Sequence, residues 1–161
     1  KKMPKDELKR LIIDMTHTLL DANGIGLAAP QVHINKRIIL FRSQLIDDEK
    51  TKKKKIEITP LINPSYANNS DEFEDDWEGC LSIPGMLGKV RRFKKITYKG
   101  YGLQGKLIKK SVEGLYARII QHECDHLEGI LYTSKLVNPK EFGFVEEVRN
   151  YLQNEKRNIK K

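Results

Sequence analysis

The stretch Gln121-His122-Glu123-Cys124-Asp125-His126-Leu127-Glu128-Gly129 sets two histidines four residues apart, with a glutamate beside the first. Residues four apart lie one turn above each other on an α-helix, so both imidazoles point at one spot. The period around them is helical over residues 113–128, and Gly129 closes the segment. Leu115, Ile119, His122 and His126 share a face, so the histidines continue a core-facing stripe. Two histidines and a glutamate there are costly without a ligand to satisfy them. A chance match to this spacing is roughly a one-in-fifty event in a chain of this length. The stretch predicts a helix that binds a metal, with Glu123 placed to take a proton from water on it.

Working outward, residues 95–101 and 106–112 read as a hairpin turning at Leu103, Gln104 and Gly105. Residues 37–42 (RIILFR) read as a short buried strand. Residues 56–62 read as another, which Pro60 pushes toward a sheet edge. Leu8, Leu11, Ile12, Met15, Leu19 and Leu20 recur at helical spacing. Pro4 suits a first turn, and Asn23 and Gly24 supply a stop, so a helix is expected over 5–22. Residues 47–55 (DDEKTKKKK) read as a solvated insertion and 68–76 as a second polar loop. Asn138 and Pro139 look like the start of a last helix, whose stripe is Phe144, Val145, Val148, Tyr151 and Leu152. Residues 154–161 read as a frayed basic tail. Strands and helices do not alternate, and no repeat is visible. The expected fold is α+β: a single domain over 1–161, with antiparallel sheets packed around the metal-binding helix and a C-terminal helix.

The length of 161 residues suits one domain with a real core. The formal charge is +8, from 30 basic and 22 acidic residues, which favours solubility and acidic partners such as RNA, ribosomes or anionic lipid. No apolar run approaches the ~18 residues of a membrane span, and no secretory signal is visible. Because the chain begins at Lys1, a trimmed or processed start is expected. Two cysteines are too few for a disulfide scaffold; in a reducing compartment they point to metal binding, catalysis or core filling.

A catalytic metal needs a third protein ligand and an open position. An extended HExxHxxGxxH ligand set fails, because Gly129 fits but Tyr132 stands at the last position. Glu146 and Glu147 are available downstream, on a helix that reads as exposed there. Cys80 is the other option, in Glu78-Gly79-Cys80-Leu81-Ser82, where the glycine permits close approach. Cys80 could equally be a buried thiol or pair with Cys124. Cys124 lies about 200° around the helix from His122, which favours core packing for it. His17 and His33 are isolated and read as surface or structural residues.

With these residues assembled, the chain resembles peptide deformylase. Gly24-Ile25-Gly26-Leu27-Ala28-Ala29-Pro30-Gln31 is similar to that family's GxGxAAxQ motif. Glu78 to Ser82 is similar to its EGCLS motif, and Gln121 to Gly129 to its third. A nucleotide loop is a weak alternative for the first motif, which follows a helix and lacks a P-loop lysine. The resemblance implies removal of the formyl group from N-terminal formyl-methionine of new polypeptides. It implies Cys80, His122 and His126 as metal ligands and Glu123 as general base, then general acid. It implies the Gln31 amide and the Leu81 N–H as oxyanion donors. Gly24, Ile25, Gly26, Glu78, Gly79, Leu115 and Ile119 would contact substrate or border the methionine pocket; Ile25, Leu115 and Ile119 suit ordinary core equally well. The metal would be ferrous iron physiologically, with zinc, cobalt or nickel in a purified sample; two imidazoles and a thiolate are also a good zinc set.

Two departures stand out: the family's strand-bearing segment before the first helix is missing, and Leu87 stands where many relatives carry arginine. Two other readings compete: a zinc endopeptidase with a downstream glutamate ligand, and a basic RNA- or ribosome-binding module with a structural metal. The second draws on residues 89–95 (KVRRFKK), 106–110 and the tail. Formylated starts place the enzyme in a bacterial cytoplasm or an organelle, and the lysine-rich insertions lean toward a plastid.

Overall fold

The computed structural model describes residues 3–48 and 53–158. The chain opens with helix α1 (Lys5–Asp21). Asn23 ends it in a left-handed conformation. The Asn23 N–H donates to Leu20 O and the Gly24 N–H to Leu19 O, satisfying the last carbonyls. Then come strand β1 (Gly26–Ala28), a 3-10 turn (Ala29–Val32), β2 (Ile38–Asp48) and β3 (Lys53–Asn68). Strands β4 (Phe73–Cys80), β5 (Ile83–Phe93), β6 (Lys95–Tyr101) and β7 (Leu107–Glu113) follow. The central helix α2 (Leu115–Leu127), a 3-10 turn (Tyr132–Lys135), β8 (Phe142–Phe144) and helix α3 (Val145–Asn158) complete the order.

Every named strand pairing is antiparallel, in a five-stranded sheet β1-β2-β3-β6-β7 and a three-stranded sheet β4-β5-β8. The architecture is the expected α+β. Between its flanking arginines the run 38–41 is apolar throughout because both faces of β2 are covered there. Ile38 and Leu40 pack with Ile12, Met15 and Leu19 of α1. Ile39 and Phe41 pack with Ala117, Ile120 and Cys124 of α2. Side chains alternate along a strand, so one stretch feeds two cores. The other flank of α2 meets the smaller sheet.

Several local expectations are corrected. Strand β3 lies inside its sheet, not at an edge. Its pairing with β6 begins only at Ile62, so Pro60 faces a single partner, Leu40 on β2, and its missing N–H is tolerated. Residues 47–48 and 53–55 are strand and not loop. Asp47 pairs with Lys54 and Asp48 with Lys53 in a ribbon that extends the buried ladder; 49–52 lie outside the described residues. Of the polar stretch 68–76, the part from Phe73 belongs to β4. The last helix starts at Val145, not Asn138. Asn138 instead accepts the Lys140 N–H on its side chain and the Glu141 N–H on its carbonyl, a local turn. Pairing with β5 then draws Phe142–Phe144 into a strand, so Phe144 leaves the helical stripe. The tail is helical to Asn158, and 159–161 lie outside the described residues.

Candidate active site

Helix α2 offers its two histidines between the sheets. Its C-terminus is closed as at α1, by the Gly129 N–H on His126 O and the Ile130 N–H on Asp125 O. Cys80 ends β4, where the register with β5 shifts between Glu78 and Cys80, a bulge of the kind that re-aims side chains. A two-residue turn, Leu81-Ser82, then starts β5. The Ser82 N–H lies 3.4 Å from the Cys80 sulfur. Gln31 is fixed from the far side: its Oε1 accepts the Ala28 N–H at 2.8 Å. Its Nε2 donates to Ser82 Oγ at 3.0 Å and lies 3.7 Å from Cys80 Sγ.

The sulfur and the two imidazoles converge. Ligand atoms of Cys80, His122 and His126 lie within 4.8 Å of one another, and Cys80 Sγ is 3.3 Å from His126 Nε2. Metal–sulfur and metal–nitrogen bonds of ~2.3 and ~2.0 Å at a tetrahedral angle would space such atoms roughly 3.5 Å apart, so the donors fit a cation. Glu123 adds a second observation: its Oε2 is buried without a hydrogen-bond partner. Gly26 lies flush against that carboxylate, and a Cβ at 26 would overlap it. The glycine thus makes room for Glu123, whereas the sequence pointed to room for substrate.

Behind the histidines runs a buried ionic network. Glu78 Oε2 meets His122 Nδ1 at 2.9 Å, which leaves Nε2 as the free ring nitrogen. Glu78 also accepts two bonds from Arg92, both 2.9 Å, and one from Arg118 Nη1 at 2.8 Å. Arg92 Nη1 reaches on to Asp125, and Asp125 accepts from Lys135 Nζ at 2.8 Å. Arg118 also caps Val90 O and Glu74 O, at 2.9 and 2.7 Å. Glu78, expected at the methionine pocket, borders the cavity but spends both oxygens on these partners.

The site's charges follow from this packing in the metal-free protein. Burial pushes the Cys80 thiol up, but bonds from His122, His126 and the Ser82 N–H outweigh it and bring it down to about 5. Burial disfavours the His122 imidazolium, yet Cys80 and Glu78 raise its pKa to about 10. Burial lifts Glu123 to about 8, with His122 opposing. Burial also lifts Glu78, but Arg92 and His122 hold it well below the usual carboxylate range.

A cavity of about 610 Å³ opens onto these groups. Gly24, Ile25, Gly26, Gln31, Glu78, Gly79, Cys80, Leu81, Leu115, Ile119, His122 and Glu123 all border it. Ile25 and Leu115 are 49% and 59% exposed, so they belong to its wall and not to the core; Ile119, 5% exposed, serves both. Cys124 is free and buried in the apolar core, and Cys80 is free too. Glu146 and Glu147 are exposed on α3 and take no part in the Cys-His-His group. His17 and His33 are exposed.

The sequence reading missed Arg92, Arg118, Asp125 and the cavity residues Trp77, Met86, Val145 and Arg149. Residues 89–95 supported the competing RNA-binding reading as a basic stretch. In β5 they alternate: Arg91 pairs outward with Asp75, while Val90 and Arg92 turn inward and are buried. The Val-x-Arg alternation was the available signal.

Residues 1–142 match the family described as polypeptide deformylase. Peptide deformylase 2 of Pseudomonas putida is 45% identical over 143 residues, 87% of this chain and 78% of the relative. A Synechococcus elongatus peptide deformylase solved with actinonin superposes with a TM-score of 0.76 at 37% identity, covering 88% of this chain and 72% of that one. A class I type b enzyme from Acinetobacter baumannii, solved with bound Met-Ala-Ser, gives 0.70 at 37% identity and 80% of each chain. Motifs, fold and relatives agree: the chain belongs to the polypeptide deformylase family of metal-dependent hydrolases.

Proposed function

We propose that this enzyme hydrolyses the N-formyl group of formyl-methionyl nascent peptides, with Glu123 moving the proton. The observation that carries this reading is the Cys80-His122-His126 cluster beside a buried carboxylate with an unpartnered oxygen. Cys80, His122 and His126 would hold one divalent ion, iron(II) physiologically, with zinc, cobalt or nickel also accommodated. Such an ion supplies a water acidic near pH ~7 and a charge that keeps Glu123 ionised.

The chain's own groups do the rest. Glu123 accepts the proton from water as the water oxygen bonds to the formyl carbon. Charge builds on the formyl oxygen, within reach of the Gln31 amide and the Leu81 N–H. Gln31 is held by the Ala28 N–H, and the Leu81 N–H has no protein acceptor among the described residues. Losing one such donor typically costs ~3 kcal/mol. Glu123 then gives its proton to the amide nitrogen as the C–N bond breaks, releasing formate and a free amino terminus. Glu78 fixes the His122 ring through Nδ1. Ile25, Leu115 and Ile119 would receive the methionine side chain, with Gly24, Gly26 and Gly79 along the peptide. The Met-Ala-Ser in the Acinetobacter protein is the peptide that deformylation of formyl-Met-Ala-Ser would leave.

The test is formate release from formyl-Met-Ala-Ser by protein loaded anaerobically with iron(II). Turnover that survives Cys80→Ala but is lost in Glu146→Ala or Glu147→Ala would favour the endopeptidase ligand set instead. A contact with ribosomal RNA is a further part of this reading. It is supported by the +8 charge and by Lys99 and Lys109, exposed and directly opposed across β6 and β7. Co-sedimentation with ribosomes at low salt that fades at high salt would support it; no binding at low salt removes it. Placement in a bacterial cytoplasm or an organelle follows from the substrate, and the lysine-rich ribbon leans toward a plastid. No helix among the described residues is long and apolar enough to cross a membrane.

A further inference from the structure

Helix α3 lies beyond the residues matched to the family, yet it helps to wall the cavity. Strand β8 sets it there: Gly143 pairs with Leu87 and Phe142 with Gly88, so α3 starts beside the cavity. Val145 and Arg149, one turn apart, both border the space. The cavity's other charged residues are committed. Glu78 and Arg118 are ion-paired to each other at 2.8 Å, and His122 and Glu123 belong to the metal end. Arg149 is exposed and makes no ion pair among the described residues. A mostly apolar cavity thus carries, on its α3 wall, one cation without an ion pair among the described residues.

We propose that Arg149 is a specificity residue that favours formyl-methionyl peptides with an acidic side chain in the first positions after the methionine. The inference rests on the deformylase reading above. Long side chains at a wet rim interact through solvent, so the preference is modest and salt-sensitive. It acts on capture of the peptide, not on the bond being broken, and therefore appears in KM and not in kcat.

The test uses C-terminally amidated formyl-Met-X-Ala and formyl-Met-Ala-X, with X as Glu, Gln or Lys, on iron-loaded enzyme. The amide removes the competing terminal carboxylate. At low salt, kcat/KM for Glu over Lys should be about fivefold at one position, carried by KM and shrinking at high salt. Arg149→Ala should bring the ratio to about one, Arg149→Glu should invert it, and Arg149→Lys should keep most of it. Thermal midpoint and metal content, matched to the unmutated enzyme, exclude misfolding. A Glu-to-Lys ratio that is the same in Arg149→Ala and Arg149→Glu as in the unmutated enzyme overturns the inference and leaves deformylation standing. No formate from any peptide overturns the deformylase reading, and this inference with it.

Discussion

The two flanks of α2 are built from opposite materials. Toward the five-stranded sheet it offers Ala117, Ile120 and Cys124, which pack on Ile39, Leu61, Ile96 and Tyr98. Toward the three-stranded sheet it offers Arg118, His122 and Asp125, which meet Glu78 and Arg92. Both flanks are buried. The first is held by removal of apolar area from water, which tolerates small changes of shape. The second is held by paired charges, where loss of one partner strands another in low dielectric. The apolar flank anchors the helix; the charged flank fixes how one imidazole faces the metal.

The two cysteines divide along this line and give the largest expected contrast. Cys80→Ala should lose the bound metal and lower formate release by at least about 10³-fold. Cys124→Ala should keep metal and turnover, losing about 1–2 kcal/mol in urea unfolding. Metal analysis and a formate assay on both variants suffice. Retained metal in Cys80→Ala would remove the thiolate from the ligand set.

A stability comparison comes next. Arg92→Met takes a buried guanidinium partner from both Glu78 and Asp125, leaving Arg118 and His122 on the first and Lys135 on the second, and should cost about 3 kcal/mol. Ile120→Ala leaves a cavity and should cost about 2–4 kcal/mol. The two should part on function: Arg92→Met should also weaken metal affinity, because Glu78 is then held by Arg118 alone and orients His122 less firmly, whereas Ile120→Ala should not. Equal metal affinity in both variants would show that the network is scaffolding alone.

The same division governs what the sequence could reveal. Apolar flanks write themselves as periods: α1, α2, the RIILFR strand and the β6–β7 hairpin were all legible because each has a regular stripe or a turn signal. The Cys-His-His cluster was legible too, since HExxH sets two of its members within one turn. The charged network was not. Glu78 and Arg92 are 14 residues apart, and Arg92 and Asp125 are 33 apart, with no local signature joining them. Buried arginine is rare enough that KVRRFKK read as surface. Strand β8 and the late start of α3 were hidden for a related reason: pairing with β5 overrode the Asn-Pro signal at 138–139.

Glu123 sits where the two flanks meet the site, and it should cost the metal-free protein stability. Its folded pKa is raised to about 8 from a reference of 4.5. A group raised in this way contributes stability that is full below the unfolded value and lost as pH rises through the folded one. Glu123→Gln removes that loss. The metal-free variant should therefore gain on the unmutated protein between pH 5 and pH 8, by on the order of 3–4 kcal/mol. Thermal midpoints of both metal-free proteins across that range decide it. A constant difference would mean that burial does not hold the carboxylate protonated.

The smallest effect separates wall from core on α2 itself. Leu115 opens the helix after Gly114, lies 59% exposed and borders the cavity. A core leucine cut to alanine costs about 2–5 kcal/mol because a hole remains. Leu115 leaves no such hole, so Leu115→Ala should change unfolding free energy by less than about 0.5 kcal/mol. If it walls the methionine pocket, the lost contact appears in binding instead, with KM for formyl-Met-Ala-Ser rising about three- to tenfold and kcat nearly kept. Ile119 lies one turn along, 5% exposed and packed in the apolar cluster, so Ile119→Ala should lose on both scales. A loss confined to KM at 115, and shared between KM and stability at 119, would place the boundary between pocket and core within a single helical turn.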